Sequence, residues 1–385
     1  MASNPRVLVV TGEYPPTLGG IGDYTCKLTD ALVDVGVDPL LFVPVGSCAH
    51  SDKVPIAATY DRWSWATLAV LLEALVAANA DWLHVQHQVS MYKSHLSAYA
   101  LPRFLRWKRW PGRIAVTFHD VTPPLLFPRG VRFWWRLSRD LILADLARNA
   151  DISIAADPSH VDTLAGCGAN VRQIPIGSNI AASDADEETL AGVRRFHAVP
   201  AGSLLIGHFG TPIGLETLLR ALEHVPHAVL LLIGKQQTLV KKSEIEKLTP
   251  NLLAEIENRS VGDRLRWTGH LSESEAATAI AACDIIVLPY EAGASLRHGG
   301  LMAAITQGKA VITSSPARPL PGLAEDAEIV TFPRGDVEAL VAAIIKLTDG
   351  PDFRKSLEQK AARAAKTVFS WAAIAEAHRD IYMDR

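Results

Sequence analysis

The segment from Cys283 to Ser314, CDIIVLPYEAGASLRHGGLMAAITQGKAVITS, constrains the fold more than any other part of the chain. It begins with the apolar run 285–288, which predicts a short buried strand. A polar loop with glycines follows, and the Ala-rich run 301–306 predicts a helix that ends at Gly308. A second β-branched run comes next. This order predicts a βαβ unit with parallel strands, and therefore an α/β fold.

The loop of this unit has the chemistry of an anion site. Gly299 and Gly300 would open the helix, and the amides of a first helical turn have no partners within the helix. Arg297 and His298 precede them, and a guanidinium pairs well with phosphate. The same residues also suit an ordinary crossover with a solvated arginine, and this segment alone does not decide between the two interpretations.

Length, charge and cysteine content favour a two-domain cytoplasmic protein over a nucleic-acid-binding, membrane-spanning or secreted one. A chain of 385 residues suits two domains, and 49% hydrophobic residues can supply a core for each. The net charge of -3 gives no general case for nucleic-acid binding. No apolar run has the length of a membrane span, and MASNPRVLVVTG leads into a strand without the features of a signal peptide. Four scattered cysteines suit free thiols, so we expect a cytoplasmic protein.

The first half opens with another βαβ pattern. The run 6–11 predicts a strand, and the amphipathic run that ends near Val35 predicts a helix. Gly19, Gly20 and Ile21 lie in the GGIG loop between them, which suits either a ligand loop or a turn that needs glycine. GGIG differs from the dinucleotide fingerprint GxGxxG, and this disfavours a nicotinamide-dependent dehydrogenase.

Polar clusters follow two further predicted strands, 82–85 and 114–118. Gln86, His87 and Gln88 come after the first, and His119 and Asp120 come after the second. Ligands of open α/β sheets bind at the carboxyl ends of the strands. His119 is therefore predicted to be functional, whereas the case for His87 is weaker.

Two segments, 101–113 and 127–139, together hold nine Lys or Arg residues interleaved with Trp and Phe, and they contain no acid. This composition suits an anionic membrane surface. It could also line a groove for an anionic acceptor, stack on single-stranded nucleic acid, or belong to helices with core aromatics and solvated arginines. We favour membrane contact over nucleic acid.

The second half again alternates predicted strands with predicted helices. It follows a polar stretch at 181–203, where we place a domain boundary. Short loops follow its predicted strands. These loops contain further candidate residues: Gly210, Thr211, Lys235, Gly269 and His270. Ser272 and Glu275 form a capping-box pattern, Asp336 is a helix cap, and 353–382 reads as a helical tail.

The order of these motifs resembles glycosyltransferase family 4, in a divergent bacterial branch. The motifs that carry the resemblance are EYPPTLGGIGDYT, TFHD, IPIGSN, HFG with GLETLLRAL, LLIGK, WTGHL, ACDIIVLPY and LMAAITQGKAVITS. The resemblance implies a GT-B fold, with two Rossmann-like doubly wound domains facing across a cleft and a C-terminal helical tail. We expect an acceptor-binding domain at 1–180, a nucleotide-sugar-binding domain at 181–365, and a final segment, 366–385, that packs back on the first domain.

The resemblance also implies an activity: retaining, metal-independent transfer of a sugar from a nucleotide diphosphate sugar to a glycan, lipid-linked or small-molecule acceptor, with no cofactor. His119, Asp120 and Arg297 would be catalytic. The donor would be bound by Gly19, Gly20, Ile21, Gly210, Thr211, Lys235, Gly269, His270, Ser295, Leu296, His298, Gly299 and Gly300.

The chain departs from the family pattern at four positions. Ser295 and Ala303 stand where the family carries two glutamates, for the sugar and ribose hydroxyls. Thr211 and Ile213 stand where a basic pair would stabilise the departing diphosphate, and Arg297 is the best substitute for it. These losses keep a second hypothesis open, namely a non-catalytic GT-B protein that binds a nucleotide or glycan or partners an active transferase. A phosphorylase or epimerase is a third.

Overall fold

The computed structural model describes residues 4–17, 19–88, 91–92, 95–121, 142–211, 214–234 and 261–384. The chain divides into two compact units. The first comprises Met1–Gly177 together with Trp371–Arg385, and the second comprises Ser178–Ser370. The divide thus lies slightly before the expected position at 180, and residues 366–370 belong to the second unit rather than to the final segment.

The first unit is built on a parallel sheet with the strand order β3-β2-β1-β4-β5-β6-β7 among the described residues. The strands are β1 (Arg6–Val10), β2 (Asp38–Pro44), β3 (Ile56–Tyr60), β4 (Trp82–His87), β5 (Arg113–Phe118), β6 (Ile152–Ala155) and β7 (Val171–Gln173). The helices are α1 (Gly20–Asp34), α2 (Trp65–Ala77), α3 (Leu96–Trp107), α4 (Pro158–Gly166) and the last helix of the chain, Trp371–Met383.

Both faces of this sheet are covered, because alternate strand residues enter two different cores. Leu8 and Val10 of β1 lie in a cluster with Leu71 of α2 and Leu105 of α3. Their neighbours Val7 and Val9 lie in the opposite cluster, to which α1 and the last helix contribute. Burial on both faces explains why these strands read as continuous apolar runs.

The last helix is part of the first unit through specific contacts. The Trp82 indole nitrogen donates a hydrogen bond to the Tyr382 carbonyl oxygen at 3.1 Å. The Trp371 ring lies 5.3 Å from the ring of Tyr24 on α1. A Cβ at Gly177 would come within 2.7 Å of the Trp371 indole, so only glycine allows the chain to pass this close to Trp371 as the first unit ends.

The second unit has a parallel sheet with the order β10-β9-β8-β11-β12-β13 among the described residues. The strands are β8 (Leu204–Phe209), β9 (Ala228–Ile233), β10 (Leu265–Trp267), β11 (Ile285–Leu288), β12 (Ala310–Ser314) and β13 (Val330–Phe332). The helices are α5 (Glu187–Phe196), α6 (Leu215–Glu223), α7 (Glu273–Ala281), α8 (Gly299–Thr306), α9 (Val337–Asp349) and α10 (Pro351–Thr367), so the last helix of the chain is α11.

The predicted helix caps of this unit are present. Ser272 and Glu275 form the capping box at α7, with the Ser272 amide donating to the Glu275 carboxylate at 2.8 Å. Asp336 accepts a hydrogen bond from the Ala339 amide at 2.9 Å and caps α9. Local pairs of this kind are the part of a fold that sequence spacing predicts best, because both partners lie within one helical turn.

The predicted fold class is confirmed, since both units are Rossmann-like parallel sheets with helices and the chain ends in a helix. Ile56–Tyr60, which was not predicted, is a strand at the sheet edge. The tail is helical, as predicted, and it consists of two helices, because α10 ends at Thr367 and α11 begins at Trp371. Within the described ranges, no helix combines the length and the apolar character that crossing a membrane requires.

Candidate functional site

Sheet topology places the candidate residues at two separate loop clusters, one in each unit. Strand order reverses between β1 and β4 in the first unit, and between β8 and β11 in the second. Ligands of open α/β sheets bind beyond the carboxyl ends of the strands, at such reversals. The loop with Gly19–Ile21 follows β1, and the loop with Ser295–Gly300 follows β11. We describe each cluster separately.

In the first unit, the side-chain carboxylate of Glu13 lies at the N-terminus of α1. The Glu13 carboxylate accepts hydrogen bonds from the amides of Ile21 at 2.8 Å and of Gly22 at 3.1 Å. The helix has no side-chain cap from its own N-cap residue, Gly19. A carboxylate eight residues upstream therefore supplies the cap, and its negative charge lies at the positive end of the helix dipole.

His119 follows β5 and is held by two contacts. Its Nε2 lies 2.8 Å from the Oε1 of Gln86, which is fully buried at the end of β4. The Tyr24 ring meets the His119 ring edge-on, with 5.0 Å between centroids. Asp120, the next residue, is partly exposed. The loop of α1 and the strand end that carries His119 are thus brought together through Tyr24.

A group of buried histidines surrounds this strand end. Burial, together with the neighbouring His87, His160 and His378, lowers the pKa of His119 to about 3. Burial also lowers the pKa of His87 to about 4 and of His378 to about 4. These rings are therefore neutral at physiological pH, and a neutral imidazole has one N–H donor and one acceptor nitrogen.

The His87 ring packs on the side of the sheet away from the loop cluster. Its ring packs between Tyr99 and Phe118, with centroid distances of 5.3 and 5.2 Å. Because alternate residues of a strand face opposite sides of the sheet, Gln86 and His87 cannot both serve the same cluster. Gln86, named in the sequence only as part of this polar cluster, is the residue of the cluster whose side chain contacts His119.

In the second unit, two glycines let the loops at the sheet reversal touch. Gly214 has φ +86°, and a Cβ there would lie 1.8 Å from the Pro289 carbonyl oxygen. A Cβ at Gly300 would lie 2.5 Å from the Phe209 carbonyl oxygen. No other residue type fits either position without movement of the backbone. The loop after β8 and the loop after β11 thus form one compact surface.

The N-terminus of α8 lies in this surface. His298 is the N-cap residue and Gly299 the first residue of the helix. The Tyr290 ring lies 3.8 Å from the His298 ring, and the Leu301 amide donates a hydrogen bond to the His298 carbonyl oxygen at 3.0 Å. Gly299 is exposed. The predicted anion loop is therefore a helix start with an aromatic pair beside it, and Tyr290 was not predicted as part of it.

The remaining residues of the loop after β11 differ in the solvent exposure of their side chains. Leu296 is 1% exposed and Ser295 is 7% exposed, whereas Arg297 is partly exposed. The Ser295 hydroxyl oxygen accepts a hydrogen bond from the Arg297 backbone N–H, with 3.3 Å between the two atoms, and this bond shapes the loop. Ala303 is fully buried in α8, so its methyl group is part of the core. Arg297 is thus the cationic side chain that this loop presents beside α8.

The other candidate residues of the second unit lie at neighbouring strand ends. Gly269 pairs with Gly234 in an isolated bridge, and the Gly234 amide donates to the Thr268 hydroxyl at 3.0 Å. His270 is exposed. Gly210 and Thr211 are exposed after β8, and the Thr211 carbonyl oxygen lies 3.1 Å from His208 Nε2. Lys235 lies outside the described residues.

The first basic aromatic segment, 101–113, covers the end of α3 and the start of β5, and the second, 127–139, lies outside the described residues. Two arginines of α3 are paired: Arg103 with Asp145, and Arg106 with Asp151 at 3.2 Å. Trp107 is 72% exposed, and the Lys108 ammonium lies 4.3 Å from its ring centroid. Part of this positive charge is therefore neutralised, while the aromatic surface is open.

Residues 201–364 match the model of the family described as glycosyl transferases group 1. The second unit carries a group 1 glycosyltransferase domain. This domain contains β8, the helix start at α8 and every candidate residue of the loop after β11. The two Rossmann-like units together have the GT-B fold.

Two curated relatives match about half of the chain. A lipopolysaccharide core biosynthesis glycosyltransferase, LpsD, of Rhizobium meliloti is 26% identical over 48% of this chain and 50% of its own length. An MMP alpha-(1->4)-mannosyltransferase of Mycolicibacterium hassiacum is 29% identical over 53% of each chain. The chain thus spans about half the length of the curated relatives that it matches.

Solved structures share the fold over nearly the whole chain. Sucrose-phosphate synthase from Thermosynechococcus elongatus has a TM-score of 0.75 at 20% identity, with 98% of both chains covered. Anabaena Alr3699/HepE, solved with UDP, has a TM-score of 0.74 at 14% identity, covering 98% of this chain and 99% of that one. At these identities the likeness concerns the fold, and the group 1 glycosyltransferase domain is assigned by its own sequence.

Proposed function

We propose that this chain is a glycosyltransferase that moves a sugar from a nucleotide diphosphate sugar to a glycan, lipid-linked or small-molecule acceptor. The observation that carries the proposal is the glycine-lined helix start at α8 within a group 1 glycosyltransferase domain. A helix start with exposed glycine lets a phosphate approach the backbone, and its amides favour negative charge. The UDP bound to the Anabaena protein makes uridine nucleotides the first donors to test.

In this proposal the second unit binds the diphosphate. The amides of Gly299 and Gly300 donate to phosphate oxygens, and Arg297 supplies the cation. Both act on the negative charge that develops on the leaving diphosphate, so they lower the barrier to transfer. Gly210 and Thr211 line the loop against which α8 packs. Gly269 and His270 are proposed to border the base, with Ser295, Leu296 and His298 shaping the loop.

The first unit is proposed to contact the sugar and the acceptor. His119 is neutral, so it can accept a hydrogen bond from a sugar hydroxyl without adding charge. Asp120 and the loop with Gly19, Gly20 and Ile21 are proposed to contact the sugar and the acceptor together with His119. We propose that the configuration of the sugar is retained and that no metal cofactor takes part. Turnover that is unchanged in the presence of EDTA is the expected result, and loss of turnover that Mg²⁺ restores would contradict it.

The experiment that tests this function combines binding with turnover. Purified full-length chain is incubated with each nucleotide diphosphate sugar, and release of the nucleoside diphosphate is followed with and without a crude glycan or lipid acceptor fraction. We expect slow donor hydrolysis that the acceptor accelerates. Binding of one donor without any hydrolysis would instead support a non-catalytic protein.

A specific observation favours that second candidate. Ala303 is fully buried, and Ser295 is 7% exposed, so neither side chain replaces the carboxylates expected from the resemblance. A protein that had lost transfer could retain nucleotide or glycan binding. The variant Ser295→Glu separates the two readings, because a gain of turnover would point to an enzyme whose sugar contacts are weak.

We further propose that the first unit contacts an anionic membrane surface, at the inner face of the membrane. α2 packs beside α3 and carries exposed apolar side chains, with Trp65 at 57%, Val70 at 40% and Val76 at 61% exposure. α3 adds Trp107, and Lys108 and Arg109 follow directly after the helix. Apolar side chains next to basic ones are the composition that binds the interface of a bilayer.

Co-sedimentation with vesicles tests the membrane proposal. Vesicles of phosphatidylglycerol and phosphatidylcholine should sediment the chain at low salt, and the double variant Trp65→Ala/Trp107→Ala should bind at least several-fold more weakly. Phe196→Ala, which removes a side chain that is 85% exposed in the second unit, is the matched control. Equal sedimentation of the double variant and the control would overturn the proposal.

A further inference from the structure

We infer that Gln86 is a positioning residue that fixes which nitrogen of His119 accepts a hydrogen bond. The inference deepens the proposed function, because it rests on contact between His119 and a sugar hydroxyl. It concerns a buried residue that has no access to substrate of its own, since Gln86 is 0% exposed. Its action is therefore exerted through the His119 ring.

The first step is the contact itself. The Gln86 Oε1 atom lies 2.8 Å from His119 Nε2. An amide oxygen can only accept a hydrogen bond, so Nε2 must carry the proton. In a neutral ring the lone pair is then on Nδ1. His119 would offer Nδ1 to a hydroxyl donor, and it could not donate from that nitrogen to a phosphate oxygen.

The second step is the orientation of the Gln86 amide. Its Nε2 lies 3.5 Å from His84 Nε2, which is also 2.7 Å from the Thr117 hydroxyl. The other nitrogen of His84 lies 2.6 Å from the Tyr382 hydroxyl. If the amide were reversed, its carbonyl oxygen would face His84, and its NH₂ group would face His119 Nε2. With the Gln86 oxygen on His119, the Gln86 NH₂ group donates to His84 Nε2, and the His84 Nδ1–H donates to the Tyr382 hydroxyl. The orientation of the Gln86 amide is thus coupled to the tautomer of His84 as well as to that of His119.

The third step is the charge of the ring. His119 is partly exposed, and the charged or polar groups that lower its pKa besides burial are the histidines His87, His160 and His378. The Tyr24 ring packs against it at 5.0 Å, and no carboxylate contributes to its lowered pKa. A neutral ring has a single N–H, so the one hydrogen bond that His119 donates to the Gln86 oxygen decides the tautomer. This network ends on Tyr382 of α11, which links the last helix to His119.

The tautomer is measurable without any substrate. In ¹⁵N-histidine-labelled full-length chain, the imidazole nitrogens of His119 should show the Nε2–H pattern at pH 7.5, with His119→Gln used to assign its signals. Gln86→Leu should convert this pattern into a mixture of tautomers. Tyr99→Phe, which alters a buried phenol that contacts His87 instead, should leave it unchanged. A wild-type Nδ1–H pattern, or an unchanged pattern in Gln86→Leu, would overturn the inference.

Turnover supplies the second arm. Gln86→Leu should lower kcat on the order of 10-fold, as loss of a residue that orients a functional histidine does elsewhere. Its affinity for the nucleoside diphosphate, which lacks the sugar, should be unchanged. If Gln86→Leu does not fold, Gln86→Met keeps the shape of the side chain and takes its place. Unchanged kcat and KM in a variant with mixed tautomers would overturn the positioning role, whereas a wild type without turnover would count against the proposed function alone.

Discussion

The carboxylate of Glu13 accepts a hydrogen bond from the amide of Ile21 at 2.8 Å, and this pair closes the loop between β1 and α1. Gly19 makes the closure possible, because a Cβ there would lie 2.4 Å from the Glu13 carboxyl group. In this structure the glycine-rich loop thus binds the carboxylate of Glu13, through the amides of Ile21 and Gly22. A donor phosphate that used the same amides would have to displace Glu13.

Replacement of Glu13 by alanine should destabilise the first unit. The variant loses a carboxylate cap of α1, which is typically worth about 1 to 2 kcal/mol in free energy of unfolding. Gly19→Ala should act in the same direction, since the added methyl group expels the carboxylate. Hydrogen exchange of the α1 amides measures the effect. Glu73→Ala on the exposed face of α2 is the control, and equal protection of α1 in Glu13→Ala and in this control would refute the capping role.

Stability of the first unit should fall as the pH drops from about 6.5 toward 4. His87, His119 and His378 have folded-state pKa values of about 4, 3 and 4, and burial is the main cause. The unfolded chain binds protons below about 6.5, whereas these folded rings do not. Each ring therefore removes roughly 1.4 kcal/mol of unfolding free energy per pH unit in that window.

Urea denaturation at pH 7.5, 6.0 and 5.0 measures this loss. His87→Leu should show a shallower decline, because the ring packs between apolar neighbours without a hydrogen bond to Nδ1 among the described residues. A stability that stays level between pH 7.5 and 5.0 would show that these histidines are protonated in the folded protein.

Replacement of Arg297 by alanine should lower kcat about 10²-fold or more, if its guanidinium stabilises the leaving diphosphate. Arg297→Lys should retain part of the activity, because an ammonium keeps the charge but not the planar fork. The measurement is steady-state turnover of the donor identified in the screen. Arg334→Ala, which changes an exposed arginine before α9, should have no effect. Equal turnover in Arg297→Ala and Arg334→Ala would remove Arg297 from the mechanism.

Replacement of Gly214 by alanine should destabilise the second unit by roughly 1 to 3 kcal/mol or more, since overpacking adds to the strain of φ +86°. The contact with the Pro289 carbonyl oxygen must open, so nucleotide affinity should fall as well. Gly192→Ala, within α5 and with open space around it, should instead stabilise by about 0.5 to 1 kcal/mol. Thermal melts of both variants, with and without nucleotide, test this contrast.

The fold was predictable from sequence because its signals are local. Apolar runs identified the central strands, and the Ser272 and Glu275 pair lies within one helical turn. Ile56–Tyr60 was missed because an edge strand alternates between exposed and buried residues and lacks a long apolar run. The end of α10 was missed because neither glycine nor proline marks it. Phe369, 2% exposed, follows that end and lies in the core.

The candidate site was predictable only where its residues are neighbours in the chain. Gln86 and His119 meet because β4 and β5 pair in a register that sets Gln86 opposite Thr117. The spacing of residues does not give that register. Glu13 reaches Ile21 only through the path of its loop, and Tyr290 reaches the His298 ring across the loop before α8. The polar cluster that begins at Gln86 could be recognised in the sequence. That Gln86 and His87 lie on opposite faces of the sheet became clear only from the extent of β4, which includes both residues.

Calorimetric titration of the full-length chain with nucleoside diphosphates and their sugars, beginning with UDP, tests whether the helix start at α8 binds a diphosphate. One nucleotide should bind with a Kd of micromolar order, and Arg297→Ala should weaken this binding at least tenfold while leaving the affinity for the corresponding nucleoside unchanged. Slow release of sugar from the matching donor should accompany it. If wild type binds no nucleoside diphosphate, or if Arg297→Ala binds it as tightly, the helix start at α8 is not a diphosphate site and the proposed transferase is contradicted.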